Sequence, residues 1–202
     1  MNPIWIVSLI LGFSVAEAPN IDAKHFLEQP KPVLTLLVRD LVDTDPAVRN
    51  IARAEAIRIL TTAGIELRWI DANGTEDPNL EPVTKSYATV VIALEPPRDW
   101  APPDAMGFAP ARTGPHPRAY VFSSMITAFI ENFAIQDKPT FGIVLGHAIA
   151  HELGHLVIPG DAHGGGIMRP YWAYREWEQA LKGSLLFTPS HARALQKALQ
   201  SK

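Results

Sequence analysis

One short run of this 202-residue chain has the residue types and the spacing to hold and use a metal ion: His151-Glu152-Leu153-Gly154-His155, a match to H-E-x-x-H. On an α-helix, positions i and i+4 fall on one face, so His151 and His155 can offer their imidazoles to one ion. Glu152 projects beside them, where it can take a proton from a metal-bound water. A catalytic Zn²⁺ site takes three protein ligands and keeps a further position open, so two imidazoles leave it one donor short. Asp161 and His163 follow closely and are the two candidates for that donor.

The stretch that must position these groups is Pro139 to Val157. Phe141, Ile143, Val144, Leu145, Ile149, Leu153, Leu156 and Val157 leave it little polar surface besides the histidines and Glu152. A helix apolar almost all round is a central, buried one. Burying His and Glu there costs several kcal/mol unless they have partners, and a metal ion is such a partner. Pro159-Gly160 ends the helix, because proline cannot continue it and glycine permits a sharp left-handed exit. That exit can swing Asp161 or His163 back toward the helix. His147 also stands four residues before His151, but Ala148 follows it where a general base would be needed. It reads as a buried histidine supporting the site. His25, His116 and His191 have no ligand spacing and read as surface residues.

At this point the residues resemble a family. H-E-L-G-H, a glycine turn, a further donor and a nearby methionine are similar to the metzincin zinc peptidases, whose pattern is H-E-x-x-H-x-x-G-x-x-H/D with a methionine turn beneath the metal. The likeness is specific over Gly146 to Trp172 and architectural elsewhere. In strict register the glycine position is Ile158 and the third ligand is Asp161. A two-residue insertion instead makes Gly160-Asp161-Ala162-His163 the G-x-x-H segment. His163 is preferred, because it completes a three-histidine set and puts the glycine where the turn needs it; Asp161 is the alternative ligand, since aspartate also binds zinc. If His163 is the ligand, Asp161 either orients it or is a solvated turn residue. Met168, in Gly166-Ile167-Met168-Arg169, corresponds to the methionine turn, against the plainer reading of a core methionine. Tyr171 is the candidate oxyanion stabiliser, one residue further along than the tyrosine some family members use.

The resemblance implies an α/β (α+β) domain: a mixed sheet, an upstream helix, a buried active-site helix and a C-terminal helix. It also implies Zn²⁺ as cofactor, Glu152 as general base, and a peptide or protein as substrate. Two other readings stand beside this one. The chain could be a non-catalytic secreted binding protein that keeps a zinc site and uses the 95–118 loop for contact, or a protein that binds no metal.

The remaining elements accommodate that architecture. Val33 to Val42 reads as a buried strand. Asp45-Pro46 is a helix start, with Asp45 as N-cap, and Val48, Ala52, Ala56, Ile59, Leu60 and Ala63 form its apolar stripe, with Arg49, Arg53 and Arg58 on a solvated face. Gly64 ends that helix, Ile65 to Ile70 follows as a strand, and the order suggests a parallel strand–helix–strand unit. Tyr87 to Leu94 is a third strand. Glu95 to Arg118 holds seven prolines and reads as a long irregular loop, either a rim over a cleft or a surface excursion. Ala119 to Ser123 is a short strand suited to a sheet edge, and Met125 to Ile135 is helix-compatible. Tyr171, Trp172, Tyr174 and Trp177 suggest a short helix packing its aromatics inward, and Thr188-Pro189 starts a final helix.

Length fits one domain, expected over 19–202. A net charge of −3 without a basic stripe argues against a nucleic-acid partner, and the lack of cysteine excludes disulfides, thiolate ligands and a thiol nucleophile. Ile4 to Val15 is an apolar run followed by Ala16 and Ala18, too short to span a bilayer comfortably. Residues 1–18 therefore read as a cleaved signal peptide, with residues 19–32 as a linker. The expectation is a secreted or periplasmic monomer without stable membrane association.

Overall fold

The structure is a computed structural model that describes residues 30–72, 87–97, 105–110, 117–133 and 137–201. The expected signal segment, most of the linker that follows it, and much of the 95–118 stretch lie outside these residues, as do His25 and His116.

Five strands form one mixed sheet. They are β1 (Val33–Asp40), β2 (Glu66–Asp71), β3 (Tyr87–Ala93), β4 (Gly107–Phe108) and β5 (Arg118–Phe122), in the spatial order β2-β1-β3-β5-β4. The first four in that order are parallel neighbours, and β4 joins β5 antiparallel, with Gly107 opposite Val121 and Phe108 opposite Tyr120. The expected parallel strand–helix–strand unit is present, with Leu36 opposite Trp69 across β1 and β2. Two readings are corrected. The strand at Ala119 to Ser123 is not at the edge, because two residues of the proline-rich stretch pair outside it. That stretch is accordingly not irregular throughout. β1 also stops short of Val42: the Asp40 carboxylate accepts the backbone N–H groups of Val42 and Thr44, a local alternative to ladder pairing.

Helix α1 (Pro46–Thr62) starts where Asp45 and Pro46 place it, with the Asp45 carboxylate accepting from Ala47 N at 2.9 Å. Arg49 and Arg58 are half-buried and ion-paired to Asp40 and Glu55, while Arg53 is exposed. Helices α2 (Ser123–Glu131) and α3 (Lys138–Val157) follow β5. Asp137 caps α3 through Thr140 N, and Lys138 reaches Asp45, tying the starts of α1 and α3 together. The two helices pack side by side over the sheet. Their closeness depends on Gly142 and Gly146: a Cβ at Gly146 would stand 2.7 Å from the Ala52 carbonyl oxygen, and one at Gly142 would stand 2.9 Å from that of Val48. Small residues at a helix crossing let the backbones approach, so α3 sits deep, with Leu145, Ile149 and Leu153 wholly buried.

Beyond α3 come a 3₁₀ turn (Gly166–Met168), α4 (Tyr174–Leu181) and α5 (Pro189–Gln200). The aromatic residues near α4 do not all turn inward. Trp177 is buried and stacked on Phe133 at 4.9 Å, and Trp172 is half-buried, but Tyr171 and Tyr174 are mostly exposed. Together, the sheet and five helices make an α+β domain. Among the described residues no helix is long and apolar enough to cross a membrane.

Candidate metal centre

His151, Glu152 and His155 all ride on the last two turns of α3, so the helix period alone puts both imidazoles on one side. His163 comes from the loop after the helix. Gly160 takes φ +79°, and with no Cβ it turns the chain back without strain. The result brings together His151, His155 and His163, with one ring nitrogen from each lying within 4.8 Å of the others. Asp161 is not a member of that group. Its side chain is exposed, and Oδ1 accepts the backbone N–H of His163 at 2.9 Å and lies 3.2 Å from His163 Nδ1.

Whether these residues suit a metal is decided by where the protons can sit. His151 Nδ1 is 2.7 Å from the Ile167 carbonyl oxygen, an acceptor, so Nδ1 carries the proton and donates. The neutral ring then presents the lone pair of Nε2, which faces His155 Nε2 at 3.0 Å. Two lone pairs at that distance repel, so a proton or a cation has to lie between them. Burial holds both rings in the neutral form that ligates: His151 is lowered to about 4 by desolvation, reinforced by the neighbouring His155 and His163 and partly offset by its bond to Ile167. His155 is lowered to about 4 by desolvation and by His163, with Asp161 opposing. Three imidazoles converging from a helix and a loop fit a divalent ion.

Glu152 is buried, and desolvation raises its carboxyl to about 8. Oε2 has no hydrogen-bond partner among the described residues. The carboxyl lies against β4, and Gly107 permits this: a Cβ there would stand 2.7 Å from Glu152 Cγ and 2.8 Å from Cδ. Glu152 and the three histidines open into a cleft of about 700 Å³. Met106 just before β4, Phe108 of β4, Met125 and Phe129 of α2, and Arg169 and Tyr171 also line it. Tyr171 thus stands at the cleft wall as a residue 74% exposed.

The remaining candidates support the site from beneath. Met168 is fully buried under α3, where a Cβ on Gly154 would collide with its sulfur. Trp172 donates to the Ile167 carbonyl and sets its ring edge-on to both His151 and His147. His147 is fully buried as expected; its Nδ1 donates to Ile143 O at 2.8 Å and its Nε2 faces Glu55 at 3.6 Å. Burial lowers its pKa. His191, read as a surface residue, is half-buried instead: it bonds Thr188 at the start of α5 and its ring packs against Gly164.

Two contributors escaped the sequence reading. The Ile167 carbonyl that aims His151 is a backbone group and leaves no residue-type signal. Gly107 lies among prolines, where another glycine carries no information. Compared with known proteins, the chain matches no family model and no curated protein.

Proposed function

We propose that the protein is a zinc-dependent peptidase, exported from the cell, with His151, His155 and His163 as ligands and Glu152 as general base. The observation that carries this reading is the convergence of three imidazoles beside a buried carboxyl at the wall of an open cleft. Three protein donors are the number that a catalytic zinc site takes. The H-E-x-x-H pattern and the methionine turn resemble the metzincins, and the mixed sheet with its buried helix is compatible with them.

A zinc ion held by the three histidines would supply a Lewis acid for a substrate carbonyl and an acidified water. The chain's own residues do the rest. Ile167 O fixes the tautomer of His151, and Gly107 leaves room for the carboxyl of Glu152 to lie at the cleft wall. In its ionised form Glu152, whose Oε2 has no protein partner among the described residues, would accept a proton from water and return it to a leaving amine. Residues of β4 and α2 supply apolar walls for substrate side chains.

The test uses Glu152→Ala in the full chain, assayed on a mixed peptide pool with zinc stoichiometry measured in parallel. The wild type is expected to carry one zinc and lose cleavage to chelator. The variant is expected to keep its zinc and lose hydrolysis by roughly 10²- to 10⁴-fold, the usual contribution of a general base. Full activity in the variant, or absence of zinc from the wild type, overturns the reading.

A further inference from the structure

The three imidazoles are not held equally well. His151 and His155 are fixed by a buried helix, and His151 is further aimed by a carbonyl. His163 has neither support: its side chain is 42% exposed and it sits on the loop that leaves α3 through Gly160. A ligand on a loop can turn its ring, and a neutral imidazole can move its proton to the wrong nitrogen. Either change removes a donor from the ion.

One group counters both. Oδ1 of Asp161 accepts the His163 backbone N–H at 2.9 Å and lies 3.2 Å from Nδ1 of the same residue. We infer that Asp161 is a positioning residue for the metal site, acting through His163 rather than on the ion. This inference rests on the metal-binding half of the proposed function. An ionised carboxylate only accepts hydrogen bonds, so the ring nitrogen facing it carries the proton. Nδ1 is therefore the protonated atom of His163, and Nε2 keeps its lone pair for the ion. His151 uses the same device with a carbonyl as acceptor, so two of the three histidines present the same nitrogen. The backbone bond adds a second constraint: it closes a turn over residues 161–163 and fixes the ring's starting point relative to the carboxylate. Gly164 N donates to Met168 O at 2.9 Å and pins the far end of the loop.

This arrangement also accounts for the two-residue offset from the metzincin spacing. Position 161, a ligand in the strict pattern, here holds the ligand that has moved to 163. A carboxylate bonded to the distal nitrogen of a ligating histidine is worth 10- to 100-fold in metal affinity, and the exposure of Asp161 places this case at the lower end.

The experiment is a chelator-competition titration of zinc on the full chain in wild type, Asp161→Asn and Asp161→Ala. Cobalt(II) absorption spectra and ¹⁵N spectra of the imidazoles accompany it. Asp161→Ala should bind zinc about tenfold more weakly. It should keep the wild-type cobalt spectrum when loaded, and in the metal-free protein show His163 as a mixture of tautomers where the wild type shows the Nδ1-protonated form alone. Asp161→Asn retains an acceptor oxygen and should recover most of the affinity. Unaltered zinc affinity and tautomer in Asp161→Ala would overturn the inference and leave the peptidase reading intact. Loss of affinity by a thousandfold with a changed cobalt spectrum would overturn it too, by making Asp161 a ligand. A wild type that binds no zinc defeats both readings together.

Discussion

Replacing Gly107 with alanine tests the placement of Glu152, the proposed general base, without touching a single ionisable group. The added Cβ would stand 2.7 Å from Cγ and 2.8 Å from Cδ of Glu152, and it would meet Oε1 as well. Ordinary carbon contacts begin near 3.4 Å, so the carboxyl must retreat by about 0.7 Å, or β4 must lift away from α3 by as much. Gly107 sits at an edge strand and the atoms it meets end a flexible side chain, so the stability cost falls at the low end of overpacking, about 1 kcal/mol. Catalysis is far less tolerant. A displacement approaching 1 Å of a group that must reach the reacting water costs on the order of 10²-fold. The expected result is a kcat lowered about 100-fold on the peptide pool, with KM little changed and zinc content still one per chain. Gly165→Ala is the matching control: its φ is −93° and its Cβ would meet only Thr188 Cγ2 at 3.6 Å, so wild-type kcat and stability are expected. Wild-type kcat in a zinc-loaded Gly107→Ala protein would refute the claim that β4 positions Glu152.

Two further outcomes concern the buried groups. Met168 fills the space under Gly154, so Met168→Ala should lower unfolding free energy by roughly 2–5 kcal/mol in urea melts, whereas Met168→Leu should cost under about 1.5; equal effects would show that packing is not its role. In chelator-treated protein, Glu152 keeps its proton in the folded state up to about pH 8 while the unfolded chain releases it near 4.5. The native form therefore binds the extra proton, and this group's contribution falls as pH rises through 4.5 to 8. At pH 7 the loss amounts to about 3 kcal/mol, so Glu152→Gln should be more stable than wild type there, by a margin that vanishes near pH 4.5. The lowered His151 and His155 act in the opposite sense, losing stability as pH falls from 6.5 toward 4, but they cancel in the comparison of the two proteins. Parallel pH curves for wild type and Glu152→Gln would refute the buried, protonated carboxyl.

Much of the domain was legible because it is locally encoded. Asp45-Pro46 and Thr188-Pro189 mark helix starts through a side-chain cap and a fixed φ, and both helices begin there. The apolar run of Pro139 to Val157 announced a central helix, and the i, i+4 spacing put His151 and His155 on one side of it. β4 was not legible. Two residues carry no period, and they pair with Val121 and Tyr120 only because the chain returns alongside β5. The inward packing expected of Tyr171 and Tyr174 failed for a related reason. Tyr171 falls before α4 and Tyr174 at its first residue, and what covers either ring is set by distant elements.

The histidine run behaves in the same divided way. By itself the sequence determined a buried helix with two imidazoles and a carboxyl on adjoining positions, since 3.6 residues per turn is a property of the backbone. It offered His163 as the preferred third donor, with Asp161 as the alternative. Only the tertiary structure brought a ring nitrogen of His163 to within 4.8 Å of those of the pair, while Asp161, two residues away, lies 3.2 Å from its Nδ1. Only the tertiary structure set the Ile167 carbonyl on His151 and the bare backbone of Gly107 against Glu152. These are contacts between segments far apart in the chain, made by groups whose chemistry is common to every residue, so they exist only once the core has closed around α3.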